Sequence, residues 1–269
     1  MLKRALVGFI AGIVMTGAAI AGPYEDGEAA YQRGDFATAL KLIRPLAEQG
    51  DVLAENRLGL MYDNGQGVPQ DYALAMKWYR LAADKGLPSA QSNVGFLYSK
   101  GEGVPQDYAE AVRWFRLAAD QGDAHGQANL GVMYARGQGL AQDYAEAIRL
   151  FRLAADQGVA AGQIGLGFRY ARGQGVAQDY FEAVRWFRLA AEGGDPEGQY
   201  NLGFMYAKGQ GVPRDYIQAH LYFSLAAAQG MKEAVRNRDI IAGKMTVKQI
   251  AEAQRLARAW KPKSAPGTR

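Results

Sequence analysis

There is no cysteine anywhere in the 269 residues. That absence removes disulfide staples, thiolate zinc sites, iron–sulfur clusters and thiol nucleophiles together. Histidine is nearly absent too: His125 and His220 are too few for a multi-histidine metal centre. Neither recurs elsewhere in the chain, and no serine or carboxylate constellation is evident beside them, so no catalytic residue, metal site or cofactor is expected. Apart from the N-terminal stretch, no segment is apolar for long enough to span a bilayer. Glycine is what the chain has in excess: 34 residues, where an average chain of this length holds roughly 19.

The formal charge of +4 hides an uneven distribution. Residues 231–269 hold ten Lys/Arg against three Asp/Glu, whereas residues 22–230 hold 19 against 24. A mildly acidic body thus precedes a basic end, and a footprint for nucleic acid is not expected. The opening reads as an export signal. Lys3 and Arg4 form a short cationic start, Ala5 to Ile20 is uncharged, and Ala19-Ile20-Ala21 offers the small-x-small pattern of a cleavage site before Gly22. At about 1.5 Å per helical residue that apolar run falls short of a roughly 30 Å hydrocarbon core, which favours cleavage over anchoring. Residues 1–21 are therefore expected to be a signal peptide, and the mature protein to be exported, with the periplasm as its destination.

A period of 36 residues organises the remainder. Asp-Tyr recurs at Asp71-Tyr72, Asp107-Tyr108, Asp143-Tyr144, Asp179-Tyr180 and Asp215-Tyr216. In phase with it run Gly59, Gly95, Gly131, Gly167 and Gly203, and Leu-Ala-Ala starting at Leu81, Leu117, Leu153, Leu189 and Leu225. Five copies are expected at 51–86, 87–122, 123–158, 159–194 and 195–230, after a divergent copy at 22–50 in which Asp35-Phe36 replaces Asp-Tyr. An array of one supersecondary unit shares a continuous core between neighbours. Residues 231–260 read as C-terminal capping helices, with Thr246 as N-cap and Gln249 three residues on, and 261–269 as a disordered basic tail.

Each unit predicts two helices. Asp107, Asp143 and Asp179 are N-cap candidates, and Glu110, Glu146 and Glu182 three residues later suggest a variant of the capping box. Gln218 can play that part after Asp215, while Leu74 breaks the pattern after Asp71. Gly122 and its equivalents end the second helix. The glycine inside each first helix is the oddity, since a helical glycine costs about 1 kcal/mol relative to alanine. Gly59, Gly95, Gly131, Gly167 and Gly203 are therefore expected to serve packing, with Gly131 letting its helix approach the Ala118-Ala119 patch of a neighbour.

Several motifs reduce to scaffolding. The recurrent G-x-G (Gly101-Glu102-Gly103, for example) follows a predicted helix rather than a strand, so a turn is expected rather than a dinucleotide site. Aromatic columns such as Trp114-Phe115 and Tyr134 read as core. The basic column Lys77/Arg80, Arg113/Arg116, Arg149/Arg152 and Arg185/Arg188 has acids within helical reach, Glu110 before Arg113 and Asp120 after Arg116, and reads as a solvated face.

The pattern A-x-x-x-L-G-x-x-Y-x-x-G-x-G-V-x-x-D-Y-x-x-A-x-x-W-Y/F-x-x-A-A-x-x-G resembles the Sel-1-like repeat, a relative of the tetratricopeptide repeat. Ala90, Val94-Gly95, Tyr98, Gly101, Gly103-Val104, Asp107-Tyr108, Ala111, Trp114-Phe115, Ala118-Ala119 and Gly122 carry it in one copy. The resemblance implies an all-α, right-handed solenoid of about six repeats whose first helices line a concave groove. It implies an interaction scaffold or adaptor, with partners in signalling, secretion or envelope assembly. Cysteine-rich relatives have been linked to penicillin binding or β-lactam hydrolysis, and an envelope enzyme of that kind is the alternative; without cysteines such activities transfer poorly. Within each first helix the residues that vary between copies fall at i, i+4 and i+7. Phe96, Ile164, Phe168, Tyr200 and Phe204 are the candidate contact residues for a protein or peptide, although Phe168 and Phe204 could equally complete helix packing. A third reading has the basic C-terminal segment make a weak contact with anionic glycan or lipid. The export reading predicts that intact-mass measurement of the protein isolated from its native host gives a chain starting at Gly22; a chain retaining Met1 refutes it.

Overall fold

The computed structural model describes residues 22–263; the expected signal segment, its cleavage site and residues 264–269 lie outside that range. The described residues form fourteen α-helices and no strand. Six first helices, α1 (Pro23–Gln32), α3 (Val52–Asn64), α5 (Pro88–Lys100), α7 (Ala124–Arg136), α9 (Ala160–Arg172) and α11 (Pro196–Lys208), alternate with six second helices. The latter are α2 (Phe36–Glu48), α4 (Tyr72–Asp84), α6 (Tyr108–Asp120), α8 (Tyr144–Asp156), α10 (Tyr180–Glu192) and α12 (Tyr216–Ala228). From α1 to α12 each helix packs on the next, the arrangement of an α-solenoid. The last pair, α13 (Lys232–Ala242) and α14 (Val247–Ala259), covers α12.

The helix starts follow from the Asp-Tyr motif. Asp107 Oδ1 accepts from the backbone N–H groups of Ala109 and Glu110, and Asp143, Asp179 and Asp215 repeat that geometry. The expected reciprocal half of the capping box is not formed in these repeats. Glu110, Glu146 and Glu182 turn forward to Arg113, Arg149 and Arg185, because a charged partner one turn on outbids an N–H already reachable by solvent. Thr246 and Gln249 do form the complete box, opening α14.

The mid-helix glycines pack differently from the expectation. A Cβ on Gly131 would lie 2.9 Å from the ring of Phe151 and 3.3 Å from the Ala147 carbonyl, both on the second helix of the same repeat, so its nearest neighbours are not Ala118-Ala119. Gly59 meets Tyr79, Gly95 meets Phe115 and Gly167 meets Phe187 in the same way. An aromatic ring thus fills the notch that each glycine leaves, and every ring is buried. The small-on-small contact with the alanines exists, but one turn earlier and between repeats: a Cβ on Gly126 would stand 2.6 Å from Ala118 Cβ, and Gly198 repeats this against Ala190.

The G-x-G turns space one repeat from the next. Gly101 closes α5 in the left-handed conformation at φ 73°. Gly103 also has positive φ, and its Cα side faces the Tyr72 carbonyl at the start of α4, with no room for a Cβ. Residues 261–263, expected as the start of a disordered tail, are instead laid against α10. The Lys263 N–H donates to the Glu192 carbonyl at 2.7 Å, and its Nζ stands 3.0 Å from the Glu192 carboxylate.

Gly131→Leu should lower the urea midpoint of the array. Overpacking costs about 1–3 kcal/mol, set against roughly 1 kcal/mol returned by losing a helical glycine. An unchanged or raised midpoint would mean that Phe151 swings aside freely.

Candidate functional site

Consecutive first helices touch one another: α5 meets α7, α7 meets α9, and α9 meets α11. Consecutive second helices within the six repeats make no contact of that extent, so the first-helix side is the shorter, concave one. That side carries the varying stripe, and the structure places its five candidate residues in different states. Phe96 and Phe204 remain 40% and 39% exposed. Phe168 is half-buried, edge-on to Phe187 with centroids 5.3 Å apart. Tyr200 leans on Phe223, and its hydroxyl accepts from Asn237 Nδ2 at 2.9 Å, which ties α11 to α13. Ile164 is buried, a floor rather than an anchor.

Two clefts open along this face and share a wall. One, of about 640 Å³, lies between α7 and α9, with Val132, Ile164 and Phe168 on its apolar side. Arg136, Arg169 and Arg172 also line it, with Glu197 as its one acid. The second, of about 280 Å³, lies between Phe168, Tyr200 and Phe204, and Arg172 borders both. At the far end of the groove Asp63 accepts from the Tyr79 hydroxyl, while burial pushes its carboxyl above the usual carboxylate range. The groove is thus polar at its N-terminal end and aromatic and basic at its C-terminal end.

The basic column on the second helices is structural. Arg113, Arg149 and Arg185 pair with the glutamates three residues before them. Arg116 reaches not Asp120 but the Tyr134 hydroxyl of the next repeat, at 3.2 Å, and Arg152 and Arg188 reach Tyr170 and Tyr206 likewise. His220 does have a serine partner that the sequence did not reveal: Ser224 Oγ lies 3.3 Å from its Nδ1, one turn along α12. Burial lowers the His220 pKa, and the pair opens on neither cleft of the groove. Among the described residues no group of histidines and acids could hold a metal ion.

A buried polar column also escaped the sequence reading. Gln91, Gln127 and Gln199 recur at the 36-residue period inside the first helices, and each accepts from a glutamine 30 residues on: Gln121, Gln157 and Gln229. In the first full repeat the same two positions hold Glu55 and Lys85, an ion pair at 2.6 Å. Comparing residues column by column at the period was the signal that could have found it.

The repeat model for Sel1 matches residues 18–51, 52–87, 88–123, 124–159, 160–195 and 196–231, six consecutive units that cover most of the chain. The chain belongs to the Sel1-repeat family. Five of its matched units start one residue later than the copies read from the Asp-Tyr phase, and the first, 18–51, takes in the divergent N-terminal copy. This Sel1-repeat chain is 42% identical, over 88% of its length, to c5321, a protective antigen present in uropathogenic Escherichia coli strains displaying an SLR fold. The TM-score is 0.65, and the match spans 52% of that longer protein. It is 34% identical to a Sel1 repeat protein from Oxalobacter formigenes, covering 88% of this chain and 99% of that one, with a TM-score of 0.71. A Sel1 repeat protein from Klebsiella pneumoniae, 24% identical with a TM-score of 0.54 over 74% of this chain and 97% of that one, shares the fold. No curated protein sequence matches the chain. Sel1-repeat proteins are in general scaffolds for protein interaction, typically without catalytic activity, and bacterial members are often exported. No described helix is long and apolar enough to cross a membrane.

Proposed function

We propose that this Sel1-repeat protein is a non-catalytic adaptor of the bacterial envelope that receives a protein or peptide on its concave first-helix face. The observation that carries the reading is the exposure of Phe96 and Phe204 on that face. Large aromatic side chains left open along a groove are the anchors that dominate protein interfaces, and neither is needed to bury its own helix pair. The 280 Å³ cleft beside Phe204 offers a socket of side-chain size. The envelope part of the proposal rests on the cationic-then-apolar N-terminus and the small-x-small pattern at Ala19–Ala21.

Phe96 and Phe204 make the informative pair of substitutions, whereas Tyr200 does not, because its hydroxyl and ring also hold α13 in place. With a partner first identified by cross-linking in the native envelope, Phe96→Ala combined with Phe204→Ala is expected to abolish its capture. The thermal midpoint should stay where it is, since exposed substitutions away from special features stay within about 0.5 kcal/mol. Undiminished capture by the folded double variant would overturn the concave-face assignment.

A further inference from the structure

The fifth matched repeat breaks the array's rules in two neighbouring columns. Where Met61, Leu97, Met133 and Met205 stand buried in the other first helices, this one has Arg169. Where Asn93, Asn129 and Asn201 stand, it has Gly165. Both departures line the 640 Å³ cleft. The first places a guanidinium in a position made for a thioether, and the second leaves room for the Phe151 ring, 2.6 Å from where a Cβ on Gly165 would stand.

Arg169 gains little from the protein for this. Its Nε is buried with no hydrogen-bond partner, and it stacks 5.2 Å above the Tyr144 ring. Burial, with Arg172 and Arg136 nearby, holds its pKa below the usual arginine range. None of the three arginines has a carboxylate within salt-bridge reach among the described residues, although nine other ion pairs form there. A helix terminus accounts for Arg136 and Arg172, whose charges oppose the C-terminal dipole ends of α7 and α9. Arg169 lies in the same last turn of α9, but the terminus leaves its buried Nε without a hydrogen-bond partner. Leaving a buried donor unpaired costs about 1–3 kcal/mol, more for a charged group, and an anion between the three guanidiniums offsets that cost.

A second orphan shapes the choice of anion. Gln174 lines the cleft with a buried Oε1 that has no donor, its amide nitrogen being used on the Tyr144 hydroxyl at 3.1 Å. An occupant that brings a hydrogen-bonding group for this amide as well as negative charge matches the cleft, and next to it lies the apolar socket of Phe168, Tyr200 and Phe204. A peptide offers all three features together. A long polyanion fits less well, because the body around the groove is itself acidic, with 24 Asp/Glu against 19 Lys/Arg over residues 22–230.

We infer that this cleft binds an acidic peptide segment, its carboxylate held by Arg136, Arg169 and Arg172, a backbone N–H donated to Gln174 Oε1, and a neighbouring apolar side chain seated against Phe168 and Phe204. The inference rests on the adaptor reading and specifies the chemistry of the partner. Bidentate guanidinium–carboxylate pairs supply the strength, and the shared Arg172 wall fixes the spacing between charge and apolar group.

The test is fluorescence anisotropy on the mature chain with a short fluorescein-labelled peptide alternating glutamate with phenylalanine and leucine. The glutamine version of the peptide, its alanine version lacking the apolar groups, and inorganic phosphate as competitor complete the set. Expected are binding of the acidic peptide that weakens with salt, and a loss of about tenfold or more for the glutamine and the alanine versions. Arg169→Met should weaken binding about tenfold while leaving the thermal midpoint equal or higher, because it restores the residue type of the column. Arg136→Gln with Arg172→Gln, at exposed positions, should weaken it further with the fold intact. A lower midpoint for Arg169→Met would make Arg169 a structural residue and overturn the inference. Equal binding of the glutamine peptide would overturn the carboxylate assignment. Equal binding of the alanine version, with full displacement by phosphate, would reduce the cleft to a simple anion site. None of those results touches the adaptor reading, which stands or falls on whether Phe96→Ala with Phe204→Ala releases the cross-linked partner.

Discussion

An aromatic ring pressed into a glycine notch holds the two helices of each repeat together. Without a Cβ at Gly131 the axis of α7 comes close enough for the Phe151 ring to lie on bare backbone, and Gly59, Gly95, Gly167 and Gly203 repeat the arrangement against Tyr79, Phe115, Phe187 and Phe223. Glycine is a poor helix former, so its use here makes sense only as an exchange of about 1 kcal/mol of propensity for the burial of a whole ring, which is worth about 1.5–3 kcal/mol. The close approach within a repeat then determines where everything else can go. Alanines at the Ala118 position meet Gly126-type residues of the next unit, the G-x-G turn abuts the preceding repeat, and the first helices crowd together on the shorter side. Curvature is thus a consequence of which faces carry small residues.

The sequence conveyed this order unevenly. Period, helix pairs, N-caps and the left-handed glycine closures were legible because each depends on chemistry within a few residues. Contacts between elements were less so. That Gly131 needs a missing Cβ could be inferred from its cost, but its partner could not, since a repeat presents several small or flat surfaces at the same spacing. The Glu110 series shows the same limit. Spacing alone allows the side chain to fold back to the cap or forward to Arg113, and only the competition between a charged and a neutral donor decides.

The candidate site was legible as a stripe but not as a geometry. Phe96, Ile164, Phe168, Tyr200 and Phe204 share a helical face, yet their neighbours divide them into open, half-covered and buried. Tyr200 is recruited into holding the C-terminal pair because Asn237 comes within reach of its hydroxyl, a contact across 37 residues that no local pattern reports. The unpaired cation at Arg169 was visible in the sequence all along. Reading the stripe for variation among surface positions passed over variation at a core position, where a single departure from Met or Leu carries more information than many on the surface.

The location of that departure has a physical logic. In a solenoid the stability of a unit is its own plus that of its interfaces, and a unit inside the array has two. The helices α9 and α10 are buttressed by α8 on one side and α11 on the other, and residues 260–263 return to cover the end of α10 as well. A half-buried guanidinium without a partner, which would unravel a terminal repeat, is tolerable there. The same unit lacks one member of the glutamine column, with Gly193 where Gln121, Gln157 and Gln229 stand, and it is beside this gap that Lys263 is fastened to Glu192. The unit that carries the unpaired charge is thus flanked on both sides and touched at its end by residues 260–263, so stability supplied by its neighbours offsets the cost of a charge kept for something outside the chain.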